Sequence, residues 1–173
     1  MSEDEYTTWR AVCVAAYARD TVKTLRITAV VATERAAAQI EQMIPDGRGT
    51  ADNYLLVAED DVDATRVGSS WLRLSPGGTD AFVADVVVDE SLRGRGYARA
   101  TMVAAERFAS DLGATGLALH VVARNTGAVR LYEDLGYTTT SQNMRKDICP
   151  LRDHARSCRC RGVASERAST GAP

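Results

Sequence analysis

The 173 residues predict an α/β fold, an α+β arrangement with one mixed central sheet. Two observations carry this. Two apolar runs separated by an acidic turn, around residues 54–74, read as an antiparallel hairpin. The β-branched run Ala81–Val88, a helical repeat from Tyr97 to Leu112 and a second apolar run Leu117–Val122 read as one parallel crossover unit. An antiparallel hairpin followed by a parallel crossover unit makes one mixed central sheet.

The elements follow in order. Ser2-Glu3-Asp4-Glu5 has the S-x-x-E form of a capping box. Tyr6, Trp9, Val12, Cys13, Ala16 and Tyr17 then recur at helical spacing. Asp20 to Val31 fits either a strand or a helix. Thr33–Ile44 predicts a second helix with Ala36, Ala37, Ile40 and Ile44 on one side, stopped by Pro45-Asp46-Gly47. Tyr54–Ala58 and Arg66–Leu74 predict strands, joined by Glu59-Asp60-Asp61-Val62-Asp63 and followed by a Pro76-Gly77-Gly78 turn. In the helix from Tyr97, the residues Ala98, Met102, Ala105, Phe108 and Leu112 keep a 3.6 period, and Gly113 is placed to cap it in the left-handed conformation. Leu117–Val122 is almost wholly apolar, which predicts a strand buried on both faces. Thr126–Leu135 predicts a short helix capped by Gly136, and Tyr137–Asp147 one or two last strands.

Composition narrows the function classes. Apolar residues make up 45% and charged residues 25%, with a formal net charge of −2. That balance gives no global field directed at nucleic acid or a membrane. The start is acidic and lacks the basic and apolar segments of a secretory signal, and no run approaches the ~18 apolar residues of a membrane span. The expected location is the cytoplasm. Cys13 reads as a small buried hydrophobe. Cys149, Cys158 and Cys160 flank His154, but one residue between the last two thiols is a poor zinc spacing, so no metal is expected. From Cys149 onward apolar periodicity ends and arginine, serine and glycine dominate. The expected organisation is a folded domain over 1–148 and a disordered basic tail over 149–173.

The segment between the strongest strand and the longest helix carries the chemistry. It reads Arg93-Gly94-Arg95-Gly96-Tyr97-Ala98. Amides at a helix N-terminus lack partners and sit at the positive end of the helix dipole. Glycines let an anion approach the main chain, and two arginines add full charge. The pattern predicts an anion site suited to a diphosphate. It is neither a G-x-G-x-x-G dinucleotide fingerprint, since Arg99 stands at the last position, nor a phosphate loop ending in G-K-[ST].

About thirty residues later comes Asn125-Thr126-Gly127-Ala128-Val129-Arg130-Leu131-Tyr132-Glu133-Asp134-Leu135-Gly136-Tyr137. The loop, matching [QR]-x-x-G-x-[GA], and this segment together resemble the two signature segments of the GNAT superfamily of acyl-CoA-dependent N-acyltransferases. The resemblance is dense from about Asn53 to Asp147. It implies the GNAT fold and direct transfer of an acetyl group from acetyl-CoA to a primary amine of a small molecule or protein. The main chain from Gly94 to Ala98, with Arg93 and Arg95, would hold the pyrophosphate. Val86 and Val88 would pair with the pantetheine arm through their main chain, and strands 81–88 and 117–122 would splay to admit it. Asn125 and Ala128 would contact the cofactor, and Tyr132 would protonate the departing thiolate. No cysteine acyl-enzyme is implied.

A base must still take the amine proton. Asp85 is the expected one, because burial on a central strand would raise its pKa. Relatives often carry glutamate where this chain has Val87, so Glu59, Asp60 or a water relay stand as alternatives, with His120 weaker. Trp9, Tyr17 and the acidic turn are candidates for lining the amine site. The family fold opens with a strand before its first helix, whereas this chain opens on the helix cap, so no strand is expected before residue 20. Partners implied are the amine substrate, with no nucleic acid or membrane, and a homodimer as the candidate assembly. Two other readings are a non-catalytic acyl-CoA-binding module and an unstable product without activity.

Overall fold

Ser2 caps the first helix as its sequence dictates. Its hydroxyl accepts from the Glu5 N–H at 3.2 Å, and its own N–H donates to the Glu5 carboxylate at 2.6 Å. Helix α1 spans Glu3–Leu25, and three acidic residues in its first turn complement the dipole. It ends where Arg26 turns left-handed, at φ 54°. The ambiguous stretch thus resolves as helix up to Leu25, then a short break, then helix α2 over Ala29–Met43. The second helix starts four residues before Thr33 because Thr28 caps it, accepting from the Val31 N–H at 3.5 Å. Thr33 is accommodated inside the helix by donating back to the Ala29 carbonyl at 2.9 Å.

The computed structural model describes residues 1–144 and 146. Its sheet has four strands in the order β1-β2-β3-β4: β1 Asn53–Glu59, β2 Arg66–Leu74, β3 Asp80–Val88 and β4 Gly116–Leu119. The first three are antiparallel, and β3 pairs with β4 in parallel through the crossover helix α3, Tyr97–Asp111. Helix α4, Thr126–Asp134, follows β4. No strand precedes β1 among the described residues, in line with the expectation for the first twenty.

Side chains alternate across the sheet and build a core on each face. Trp9 and Cys13 of α1, Ile40 of α2 and Ile44 at its C-cap, and Trp71 of β2 form one cluster, with Leu55 and Ala84 against it. Leu72, Ala81, Val83, Met102, Ala105 and Ala109 form the other, joined by Tyr54, Leu56 and Tyr132. Neighbouring residues such as Trp71 and Leu72 therefore point to opposite faces. Ala18, Ala32 and Ala36 let α1 and α2 approach closely.

Two irregularities position the site. Trp71 pairs with Asp85 while Leu72 pairs with Val83, so Ala84 is an extra residue in β3. Such a bulge changes which residues face each side. Before it, Ala81 and Val83 face α3; after it, Val86 does, and Ala84 packs towards α1. The second irregularity is that β4 pairs with β3 only from Asp80 to Val83.

Two expectations need correction. The strand Leu117–Val122 is shorter, Gly116–Leu119, and is not buried on both faces, since Ala118 is exposed. Among the described residues nothing pairs with its outer edge. Residues 137–144 form no regular secondary structure where last strands were expected; Arg145 and Asp147 lie outside the described residues. Met1–Thr138 make one compact unit, and 139–173 a second, in which the described residues have no helix or strand. The tail 149–173, with Cys149, His154, Cys158 and Cys160, lies outside the described residues. No helix among them is long and apolar enough to cross a membrane.

Candidate active site

The loop after β3 turns through a short 3-10 segment, Glu90–Leu92, into α3. Gly94 and Gly96 both take positive φ, 76° and 88°, a conformation that disfavours any side chain. Gly96 stands at the N-cap of α3, where no side chain caps the helix. Its carbonyl accepts from Ala100, so the amides of the turn from Tyr97 stay without helical partners. A Cβ added at either glycine would meet nothing within 4 Å. The space above the loop is open, and the residues fit a diphosphate held by main-chain N–H groups.

The two arginines are not equivalent. Arg93 folds back, donating from Nε to the Val88 carbonyl at 3.2 Å and lying 3.7 Å from Glu90. It braces the loop. Arg95 has no ion-pair partner among the described residues and is exposed, which leaves its charge for a ligand. Tyr97 reaches away from the cradle, and its hydroxyl donates to Asp60 at 2.6 Å.

Beyond Val83, the side of β3 that faced β4 has no strand partner among the described residues. The stretch Ala84–Val88 therefore opens a gap leading to the loop, and it contains Val86 and Val88. Two carbonyls there are already engaged: Ala84 accepts from the Tyr17 hydroxyl at 3.1 Å, and Val88 from Arg93.

Asp85 lies on this stretch and is part-buried. Burial raises its pKa to about 6, and interactions with the Trp9 indole and the Val86 N–H offset the rise in part. The Trp9 N–H lies deep in the core and makes no hydrogen bond of good geometry, so it favours the Asp85 carboxylate only as a nearby dipole. No cation pairs with Asp85 among the described residues. Burial, then the charge of Asp85, pushes the Cys13 thiol up to about 12. Cys13 is 2% exposed and stays a protonated core residue, unsuited to nucleophilic attack.

Tyr132 projects from α4 into the α3-side core, edge-on to Tyr137 at 5.8 Å between ring centres. Burial first, and the Asp85 charge second, raise its pKa above the ordinary 10. The phenol stays protonated at neutral pH and senses the carboxylate. Asn125 caps α4, its Oδ1 accepting from the Ala128 N–H at 3.3 Å. That bond occupies the Ala128 amide, while the Asn125 Nδ2 has no hydrogen-bond partner among the described residues.

The other candidates separate from this constellation. His120 lies one residue past β4 and is exposed, not packed in an apolar strand. Glu59 is exposed, and both Asp60 oxygens are engaged, Oδ2 by Tyr97 and Oδ1 by the Val62 N–H at 2.9 Å. Tyr17 is tied to Ala84. Trp9 is buried but borders a cavity of about 350 Å³ with Thr8, Val12, Arg66, Ser69, Val87 and Asp89. No group of His, Cys, Asp and Glu side chains among the described residues is placed to hold a metal ion. The bulge at Ala84 and the Tyr97–Asp60 bond had no signal in the sequence, since both depend on pairing between distant segments.

The architecture has counterparts among known proteins. The model of the acetyltransferase (GNAT) family matches residues 19–137. YdgE of Bacillus subtilis strain 168, described as an uncharacterised N-acetyltransferase, is 34% identical over 151 residues, which span 86% of this chain and 96% of YdgE. YycN of the same strain, described in the same way, is 32% identical over 61% of this chain and 69% of its own. The crystal structure of YycN superposes with a TM-score of 0.80 at 27% identity, covering 87% of this chain and 96% of that one. An uncapped, glycine-opened helix N-terminus beside an unpaired stretch of central strand, on a fold shared with these proteins, leads to one conclusion: the chain belongs to the GNAT family and is an acetyltransferase.

Proposed function

We propose that this protein is an acetyl-CoA-dependent N-acetyltransferase that acetylates a primary amine of a small molecule or protein by direct transfer. The observation that carries this reading is the open cradle above Gly94 and Gly96. It holds the uncapped amides of α3 and the free charge of Arg95, next to the unpaired edge of β3. Bound acetyl-CoA supplies the acetyl thioester. The main chain from Gly94 to Ala98 and Arg95 hold its diphosphate, Arg93 stiffens the loop, and Val86, Val88 and the Asn125 amide line the path of the arm.

The proton chemistry falls to two residues. Asp85, with a pKa of about 6, is ionised at neutral pH yet basic enough to accept the proton that the amine loses. As the new C–N bond forms and the C–S bond breaks, Tyr132 donates its proton to the sulfur. Exchange with solvent then restores both groups. Cys13 takes no part.

The test is thiol release from acetyl-CoA against polyamines, aminoglycosides, amino acids and peptide N-termini. Turnover with at least one class is expected. Tight acetyl-CoA binding with no turnover on any of them would leave a binding module instead.

The cradle has its own check. Gly96→Val places a branched side chain at φ 88°, a strain of about 1–3 kcal/mol, and fills the space above the amides. Calorimetry should show acetyl-CoA affinity falling by at least about tenfold, since an excluded diphosphate loses several charge-assisted contacts. Unchanged affinity would place the diphosphate elsewhere.

A further inference from the structure

The loop that forms the cradle is tied at both ends. At its entry Arg93 Nε donates to the Val88 carbonyl at 3.2 Å. At its exit the Tyr97 hydroxyl donates to Asp60 Oδ2 at 2.6 Å, across 37 residues of sequence. Between the two ties lie Gly94 and Gly96, the flexible residues with open space above them.

Asp60 is itself rigidly held. Its N–H donates to the Thr65 carbonyl at 2.8 Å, its carbonyl accepts from Ala64 at 3.0 Å, and its Oδ1 accepts from Val62 at 2.9 Å. Four bonds, counting Tyr97, lock one residue of the β1–β2 turn. The turn in turn ends two paired strands, so the carboxylate is referenced to the sheet.

We propose that Asp60 is a positioning residue for cofactor binding: through the Tyr97 hydroxyl it fixes the first turn of α3, and so pre-sets the amides that receive the diphosphate. This rests on the reading of the loop as the diphosphate cradle. Asp60 touches no ligand. It acts by raising the fraction of molecules whose loop already has the binding geometry, and apparent affinity scales with that fraction. The tie survives at neutral pH, because Tyr97 and the Val62 N–H hold the carboxyl below the usual range while the same bond holds the Tyr97 phenol above its own. The acidic turn thus serves the donor side of the reaction, in place of the amine-binding role its charge alone invites.

The test is acetyl-CoA binding by calorimetry, with thermal unfolding measured in parallel. Asp60→Ala and Tyr97→Phe should each weaken binding by about five- to tenfold, as expected when a preorganising bond to a charged group is lost. The double variant should bind no more weakly than Asp60→Ala alone. Asp60→Asn can keep both contacts, its amide oxygen accepting from the Val62 N–H and its amide N–H donating to the Tyr97 hydroxyl oxygen, and should recover most of the affinity. Tyr97→Phe leaves the turn intact, so it guards against an Asp60→Ala variant that merely loosens the hairpin. If Asp60→Ala lowers the melting temperature while Tyr97→Phe binds like wild type, or if the two losses add, the inference is overturned. If the wild type does not bind acetyl-CoA, the cradle reading falls and takes this one with it. Wild-type binding that is unmoved by Tyr97→Phe overturns the inference and leaves the cradle standing.

Discussion

Asp85→Asn is expected to lower kcat/KM by about 10²–10⁴, the usual contribution of a positioned general base. The change is nearly isosteric and removes the charge and, with it, the ability to take a proton. In the wild type, kcat/KM should rise with pH through about 6, as the carboxylate becomes available. That limb should be absent from the residual activity of the variant. A limb that persists in Asp85→Asn would assign it to another group.

Stability should move in the opposite direction. The folded-state pKa of Asp85 lies above its ordinary 3.8, so the fold favours the neutral carboxyl. The stability linked to that proton is fully present below pH 3.8 and is lost as the pH rises through about 6. At pH 8 the buried charge then costs the wild type about 1–3 kcal/mol, the lower end if the part-exposed carboxyl is well solvated. Asparagine carries no charge, so the variant should melt above the wild type at pH 8, with the gap closing near pH 4. If Asp85 is the base, this is the trade of stability for activity expected of a buried catalytic group. A variant less stable than the wild type at pH 8 would mean that the carboxylate has a partner the fold depends on.

The raised pKa of Asp85 was legible in the sequence in one respect only. A carboxyl inside the run Ala81–Val88 had to be at least partly buried. Which face it occupied was not legible, because a period-two reading carries no bulge. The extra residue, Ala84, places Asp85 against Trp9, Cys13 and Tyr17 instead of α3. The same limit separates the elements that were readable from those that were not. Helix α1 was written in its own capping box, and α3 in its apolar repeat and Gly113, whose φ is 91°. These signals are local. The true start of α2 was missed because Asp20–Val31 fits strand or helix equally, whereas in the fold Thr28 caps the helix and Ala32 and Ala36 pack with Ala18. The strand after α3 read as doubly buried because its residues are apolar, yet burial depends on what lies beside it. In the cradle, the glycines and arginines were visible as types. That Arg93 braces the loop while Arg95 stays free, and that Asp60 holds Tyr97, are consequences of the fold.

Tyr132→Phe is the second large effect, and it separates chemistry from binding. The ring stays, with its packing in the α3-side core and its edge-on contact with Tyr137, so melting should shift little. Only the hydroxyl is lost. Among the described residues no hydrogen bond from that hydroxyl holds the fold together, so nothing buried is left unpaired by its removal. If the phenol protonates the departing thiolate, kcat should fall by about 10²-fold or more, while the Kd for acetyl-CoA stays within about twofold, as it must when an interaction is made only in the transition state. Burial and then the Asp85 charge hold the proton on the oxygen at neutral pH, so the acid form is the one present. The two carriers also reinforce each other. An ionised Asp85 makes Tyr132 harder to deprotonate, and taking the amine proton neutralises Asp85 as Tyr132 is asked to give up its own. If Asp85 is the base and Tyr132 the acid, the base prepares the acid, and Asp85→Asn and Tyr132→Phe combined should lose less than the product of their separate losses. Losses that multiply fully would show the two residues acting independently. A Tyr132→Phe enzyme with normal kcat would remove the phenol from the mechanism altogether.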